Sequence, residues 1–463
     1  MSASQPYRPE TAILELGDAF YDVVEPASFP ELIPRFVNRR WADRVGLGEL
    51  DDTAWAAHFG RFEPLPDNLL QRLSLRYHGH QFRHYNPEIG DGRGFLFGQL
   101  RDESGRLLDL GTKGSGTTPW SRRGDGRLTL KGGVREVLAT EMLEALGVNT
   151  SKSFALFETG EALYRGDEPS PTRSSVLTRL SHGHIRIGTF QRLAFFEDTA
   201  NLAKLTRYCL AKLFDQVLAK DDATNAAHLF DLVATRTAGL AASYMAAGFV
   251  HGVLNSDNIN VTGESFDYGP WRFTPEWDPG FTAAYFDDYG LYAFGRQPEA
   301  IHWDVAQFAG CLALIGEARP LADTLADWTV RYEAALIEAL LARLGVPHLS
   351  PDQDRHLAAA LIEALQSREV GIDRLFFDWR GGRDPGGESY AAQVFRTLAA
   401  RLDGRSRASS HPYWSDPEPC SMHIDEVETI WAAIDRDDDW TLFEAKIAAI
   451  RRMGEAMRTD APA

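Results

Sequence analysis

The sequence predicts an α+β protein in two lobes, strand-rich first and helical second, with a helical extension behind them. Three observations carry this. Short apolar runs broken by Gly, Pro and Ser dominate up to about Gln191, and long stretches at helical spacing dominate from Leu193 onward. No run of about eighteen apolar residues marks a membrane span. The chain divides accordingly into an N-terminal extension (1–80), a strand-rich N-lobe (81–192), a helical C-lobe (193–320) and a helical C-terminal extension (321–463).

Taken in order, apolar runs at Phe95 to Leu100 and Leu107 to Leu110 flank Asp102-Glu103-Ser104-Gly105, a turn-rich stretch, and read as a hairpin. Val134, Val137, Leu138, Met142 and Leu146 recur at helical spacing before the stop signal Gly147. Further helical patterns lie at Leu202 to Val217, Ala226 to Ala247, Val305 to Ile315, Leu321 to Leu344 and Ile424 to Met457. Arg380 to Glu388 and Arg405 to Pro419 read as loops. The tryptophans Trp271, Trp277 and Trp303 are expected in the core.

At 463 residues, 44% hydrophobic and 25% charged, the chain can bury a sizeable core. Its formal charge of -18 repels a polyanion, so nucleic acid is a poor partner, while a nucleotide needs only a few local cations and a metal. Met1 to Glu10 has neither the apolar stretch of a secretory signal nor an arginine-rich helix, which makes the cytoplasm the expected location and a membrane partner unexpected. Cys209, Cys311 and Cys420 are far apart, against a zinc site or a disulfide scaffold.

Gly90-Asp91-Gly92-Arg93-Gly94 stands just before the hairpin. Its glycines would let backbone N–H groups approach phosphates, although the same string also makes an ordinary tight turn. The second strand ends at Lys113, and the helix after it carries Glu136. A strand lysine oriented by a helix glutamate binds phosphates in kinase-type sites, whereas an isolated pair of this kind is a surface ion pair. It is the order of glycines, strand lysine and helix glutamate that gives the pair its meaning.

His251-Gly252-Val253-Leu254-Asn255-Ser256-Asp257-Asn258, with Asp267-Tyr268-Gly269 beyond it, is the most informative segment. It resembles the catalytic loop of small-molecule kinases, with Asn258 and Asp267 at the two metal positions. One carboxylate, one amide oxygen and nucleotide phosphates suit a hard divalent cation. Val253 stands where those kinases have their catalytic aspartate and accepts no proton, so Asp257 is the nearest replacement. Arg179 and Arg186 carry guanidinium forks suited to phosphate oxygens, though spacing alone does not bring them together. Asp125-Gly126 reads first as a loop turn, and His78, His80 and His84 as structural histidines.

With these residues the sequence resembles the selenoprotein O (SelO) family of protein adenylyltransferases, a kinase-like branch. The resemblance runs from about Leu16 to His302. It rests on Tyr77-His78-Gly79-His80-Gln81-Phe82, Gly90-Asp91-Gly92-Arg93, Gly111-Thr112-Lys113-Gly114-Ser115-Gly116, Gly124-Asp125-Gly126-Arg127, Arg135-Glu136, and His251-Gly252-Val253 through Asp267-Tyr268-Gly269-Pro270. It implies a bilobal protein-kinase-like fold in which ATP lies flipped, presenting its α-phosphorus to a Ser, Thr or Tyr hydroxyl of a protein. AMP is transferred with Mg2+ or Mn2+ and pyrophosphate leaves. On this resemblance Asp257 is the proton acceptor, Asn258 and Asp267 are metal ligands, and Lys113, held by Glu136, is a phosphate ligand. Gly90, Gly92, Arg93, Asp125 and Gly126 are further nucleotide contacts, and Arg179 and Arg186 neutralise the pyrophosphate.

Leu130-Lys131-Gly132-Gly133 stands where many members have Arg-Ser-Ser, and the region after about Ile372 departs from the usual tail. The last cysteine is Cys420, not one near the C-terminus, which puts redox control by a terminal thiol in doubt. The rival readings are a kinase that transfers the γ-phosphate, a nucleotide-binding pseudokinase scaffold, and UMP transfer from UTP.

Overall fold

The computed structural model describes residues 6–166 and 168–461. Its organising element is a nine-stranded antiparallel sheet. The main path runs Tyr21–Val24, Arg72–Leu75, Leu96–Arg101, Leu107–Lys113, Thr172–Ser181, Lys152–Leu163 and Ile33–Val37. The expected hairpin is its centre: Leu96–Arg101 pairs with Leu107–Lys113, with Leu100 opposite Leu108.

Side chains alternate across this sheet because a strand has a period of two. Phe95, Phe97, Leu108, Leu110, Phe154 and Val176 enter a core with Trp41, Trp55, Phe59 and Phe62, on the face covered by helices Arg39–Arg44 and Asp52–Phe59. Leu96, Leu107, Leu156 and Leu177 point the other way, into the core they share with Val134, Val137, Leu138 and Met142 of helix Leu130–Ala145. That helix begins four residues before the apolar periodicity does, because Thr129 caps it by accepting from the Gly132 N–H.

Helices dominate from Ile187 onward, with Ile187–Phe195, Thr199–Tyr208, Asp222–Ala247, Gln297–Leu312 and Ala318–Leu344 in sequence. The pattern read at Leu202 to Val217 stops sooner: after Tyr208 the winding widens over Cys209–Leu213, and Asp215 takes a positive φ of 51°. The single helix expected over Ile424 to Met457 is two, Ile424–Asp437 and Thr441–Thr459. Asp438 breaks it at φ 50°, its carboxylate captured by Arg35 and Arg173 of the sheet. Helices Pro351–Gln366, Ile372–Asp378 and Gln393–Leu402 form a further core around Leu361, Leu375, Trp379 and Phe395. Trp271 and Trp277 are core residues as expected, but Trp303 is only half-buried, edge-on to His80.

The three cysteines are free, with Cys209 and Cys311 buried. Among the described residues no helix is long and apolar enough to cross a membrane.

Candidate active site

The alternation that builds the core also aims the lysine. Leu107 faces the core beneath helix Leu130–Ala145, so Lys113, an even number of residues along the same strand, faces that helix too. Its ammonium pairs with Glu136 Oε1 and lies 2.7 Å from Asp267 Oδ1. Register supplies the next cation: Leu177 is opposite Lys113 and Arg179 opposite Gly111, which puts Arg179 diagonal to the lysine on the same face. Arg179 Nη1 reaches Asp267 Oδ1 at 3.4 Å.

Arg186 arrives from outside the sheet. It precedes helix Ile187–Phe195 and bridges to Asn260, just past the His251–Asn258 loop. Its Nη1 donates to the Asp257 backbone carbonyl at 3.0 Å and stands 3.8 Å from Asp267 Oδ2. Its guanidinium is held between the rings of Tyr77 (4.3 Å) and Phe266 (4.7 Å).

Asp267 therefore gathers Lys113, Arg179 and Arg186. It does so from a left-handed backbone conformation, φ 64°, which aspartate tolerates better than most residues. Burial alone would raise its pKa, but the surrounding cations outweigh it and hold the carboxyl well below the usual range. Asp257 is the opposite case. Burial pushes it up to about 7 against the pull of Arg186, and its Oδ1 is buried without a hydrogen-bond partner. Asn258 donates its side-chain amide to the Val253 carbonyl at 2.9 Å, which turns its side-chain oxygen free.

These groups open onto a cleft of about 650 Å³. Gly90, Gly92, Arg93, Lys113, Asp125, Gly126, Arg179, Arg186, Asp257 and Asp267 all line it. Glu136 stands behind Lys113, and Asn258 sits beside Asp257, so neither forms the cleft wall. Asp125 is tied to Arg165 at 2.8 Å. The glycine string has a packing reason: a Cβ on Gly90 would meet the Trp120 ring at 2.4 Å.

Sequence reasoning missed Trp120, Arg122, Arg123, Arg165, Asp91 and Tyr77, which also line the cleft. Asp91 was visible inside the glycine string, and burial raises its pKa. It also gave Tyr77 to Phe82 no part in the site. The strands Gly79–Gln81 and His84–Asn86 in fact brace the His251–Asn258 loop: the His80 N–H donates to Ser256 Oγ (2.7 Å) and the Phe82 N–H to Asn255 Oδ1 (3.0 Å). Gly79 lies so close to Asp257 that a Cβ there would meet its carboxylate at 2.8 Å. His78 and His80 are structural, bonded to Tyr85 and Gln191, and His84 is exposed.

Residues 5–416 match the family described as "Protein adenylyltransferase SelO". The chain belongs to the SelO family. The match continues past His302 and Ile372 and leaves residues 1–4 and 417–463, with the last two helices, outside it. Curated relatives carry the name "Protein nucleotidyltransferase YdiU". The one from Gloeobacter violaceus is 42% identical over 96% of this chain and 95% of its own length, and that from Synechocystis sp. 39% identical over 94% and 96%. The Bradyrhizobium sp. relative is 31% identical over 94% and 92%. The chain is accordingly a nucleotidyltransferase of this family, and a nucleotide is its co-substrate.

Proposed function

We propose that this enzyme transfers AMP from ATP to Ser, Thr or Tyr hydroxyls of protein acceptors, on a bilobal protein-kinase-like frame divided near 80, 192 and 320. The observation that carries the reading is the pairing of Val253, which accepts no proton, with Asp257, whose buried Oδ1 is unbonded beside the cleft. In the proposed step the acceptor oxygen bonds to the α-phosphorus as Asp257 takes its proton, and the bond from that phosphorus to the bridging oxygen breaks. Pyrophosphate leaves. Lys113, oriented by Glu136, and Arg179 and Arg186 lie where they would offset its growing charge.

Mg2+ or Mn2+ fits the donors. Asp267 offers a carboxylate and Asn258 an oriented side-chain oxygen, both hard ligands. Among the described residues no three His, Cys, Asp or Glu side chains cluster as a protein-only metal site, so phosphate oxygens would complete the shell. Bound there, the cation would neutralise phosphate charge. Gly90, Gly92, Arg93, Asp125 and Gly126 serve as the remaining nucleotide contacts. The cytoplasm, which supplies ATP, is the proposed location.

The test is intact-mass and fragment-ion spectrometry of acceptor proteins incubated with enzyme, ATP and either cation. A gain of one AMP on a Ser, Thr or Tyr is expected. A gain of one phosphate, or of UMP alone when UTP is supplied, would overturn the assignment.

A further inference from the structure

Packed against Phe82, which follows the cleft-lining Gln81, is an exposed surface that does not itself line the cleft. Tyr285 is 81% exposed, Phe286 45% and Tyr289 93%. Three large aromatic side chains exposed within five residues are unusual on a soluble protein and mark an interaction site more often than chance. The stretch carrying them is built firmly. Ala283 and Ala284 are buried against Gly252 of the catalytic loop. The Asp287 carboxylate accepts from the Leu291 and Tyr292 N–H groups at 2.8 Å each.

The platform is also mechanically continuous with the proposed base. Phe286 packs edge-on to Phe82, and Phe82 against Tyr292, at centroid distances of 5.8 and 5.0 Å. Both Phe82, through its N–H, and Tyr292, through its hydroxyl, donate to Asn255 Oδ1, two residues before Asp257. A segment lying on these rings would thus be held in fixed relation to the residue that must meet its hydroxyl.

Charge indicates what would lie there. Asp288 is exposed between the tyrosines and has no ion-pair partner among the described residues. The nearby cations Arg83 and Arg296 are both engaged by Glu299. Aromatic faces attract guanidinium and ammonium groups, and a chain of net charge -18 attracts basic segments at longer range.

We propose that Tyr285, Phe286, Asp288 and Tyr289 form the acceptor-docking platform, which takes an extended, Lys- or Arg-containing segment next to the hydroxyl to be modified. This inference rests on the proposed AMP transfer for its meaning, but binding can be read without catalysis.

The experiment is fluorescence anisotropy of the full chain with a labelled short peptide, a central serine flanked by lysines and arginines, compared with the same peptide carrying glutamates. The basic peptide should bind at least about tenfold tighter, and Tyr285→Ala/Tyr289→Ala should weaken it about tenfold. Tyr285→Phe/Tyr289→Phe should retain binding, and all three proteins should show the same ATP-dependent rise in melting temperature. Equal binding of the two peptides, unchanged binding by the alanine variant, or displacement of the peptide by ATP would overturn the platform. Label from α-labelled ATP on the basic peptide is scored separately. Its absence alongside tight, tyrosine-dependent binding would count against the proposed reaction and not against the docking surface.

Discussion

Two knots of basic and acidic side chains in this molecule look alike in composition and differ in balance. Where the sheet meets the C-terminal helices, Arg35 and Arg173 face Glu158 and Asp438. Arg35 Nη2 lies 2.6 Å from Glu158 and 3.0 Å from Asp438, and Arg173 lies 2.7 Å from each. Two cations meet two anions, and Asp438 is half open to water. In the cleft, Lys113, Arg179 and Arg186 crowd on Asp267, Lys113 also pairs with Glu136, and Arg93 adds its field to Asp267.

The cleft's other carboxyls do not restore neutrality. Burial raises the pKa of Asp91 and pushes that of Asp257 up to about 7, where Asp257 carries only part of its negative charge near neutral pH. The Nε atoms of Arg179 and Arg186 and the Oε2 of Glu136 are buried without partners. An unpaired buried polar group is costly, so a cluster that keeps several and an excess of cations is suited to an anion that arrives from outside. The balanced knot fastens the tail; under the proposed function the unbalanced one meets the phosphates.

Substitutions should separate the two. Asp267→Ala should have the largest effect, lowering AMP transfer about 10⁴-fold, because it removes both the focus of the cations and the proposed metal ligand. Quantifying pyrophosphate release in parallel with wild type checks this. Asp257→Asn should lower the rate by about 10²–10³-fold while the ATP-dependent shift in melting temperature persists; loss of that shift would mean Asp257 acts in binding.

Arg186→Ala should cost roughly 10²-fold in kcat. Tyr77→Leu, which removes one ring from the guanidinium sandwich, should cost about tenfold, and Tyr77→Phe should restore most of it. If phenylalanine fails as leucine does, the stacking account of Arg186 is wrong. At the other knot, Arg173→Ala should leave transfer within about twofold and lower unfolding free energy by ~1 kcal/mol, since Arg35 still serves Glu158. Denaturant titration measures this, and a large loss of transfer would erase the contrast between the knots.

The parts legible in the sequence were those written in local order. The hairpin around Asp102-Glu103-Ser104-Gly105 and the helix ahead of Gly147 follow from periodicity and turn chemistry. The sequence Lys113, Glu136, Asn258, Asp267 was readable because each sits in its own short motif. What was not legible depends on pairing. Arg179 reaches the cleft only because its strand pairs with Lys113's in one register. Tyr77 stacks on Arg186 only after two segments more than a hundred residues apart meet. The break at Asp438 was hidden because the arginines that capture it lie in the sheet. Trp120 gave no cue that its ring would sit on Gly90.

In the proposed reaction the excess cations in the cleft serve an outgoing pyrophosphate while AMP moves to the acceptor. Parallel reactions with ATP labelled at the α- or the γ-phosphate, with Mg2+ or Mn2+, using wild type and Asp267→Ala, test it most directly. AMP transfer requires α-label on protein with wild type only and no γ-label on protein in any reaction. Covalent γ-label, or no protein labelling by wild type with either cation, would contradict it.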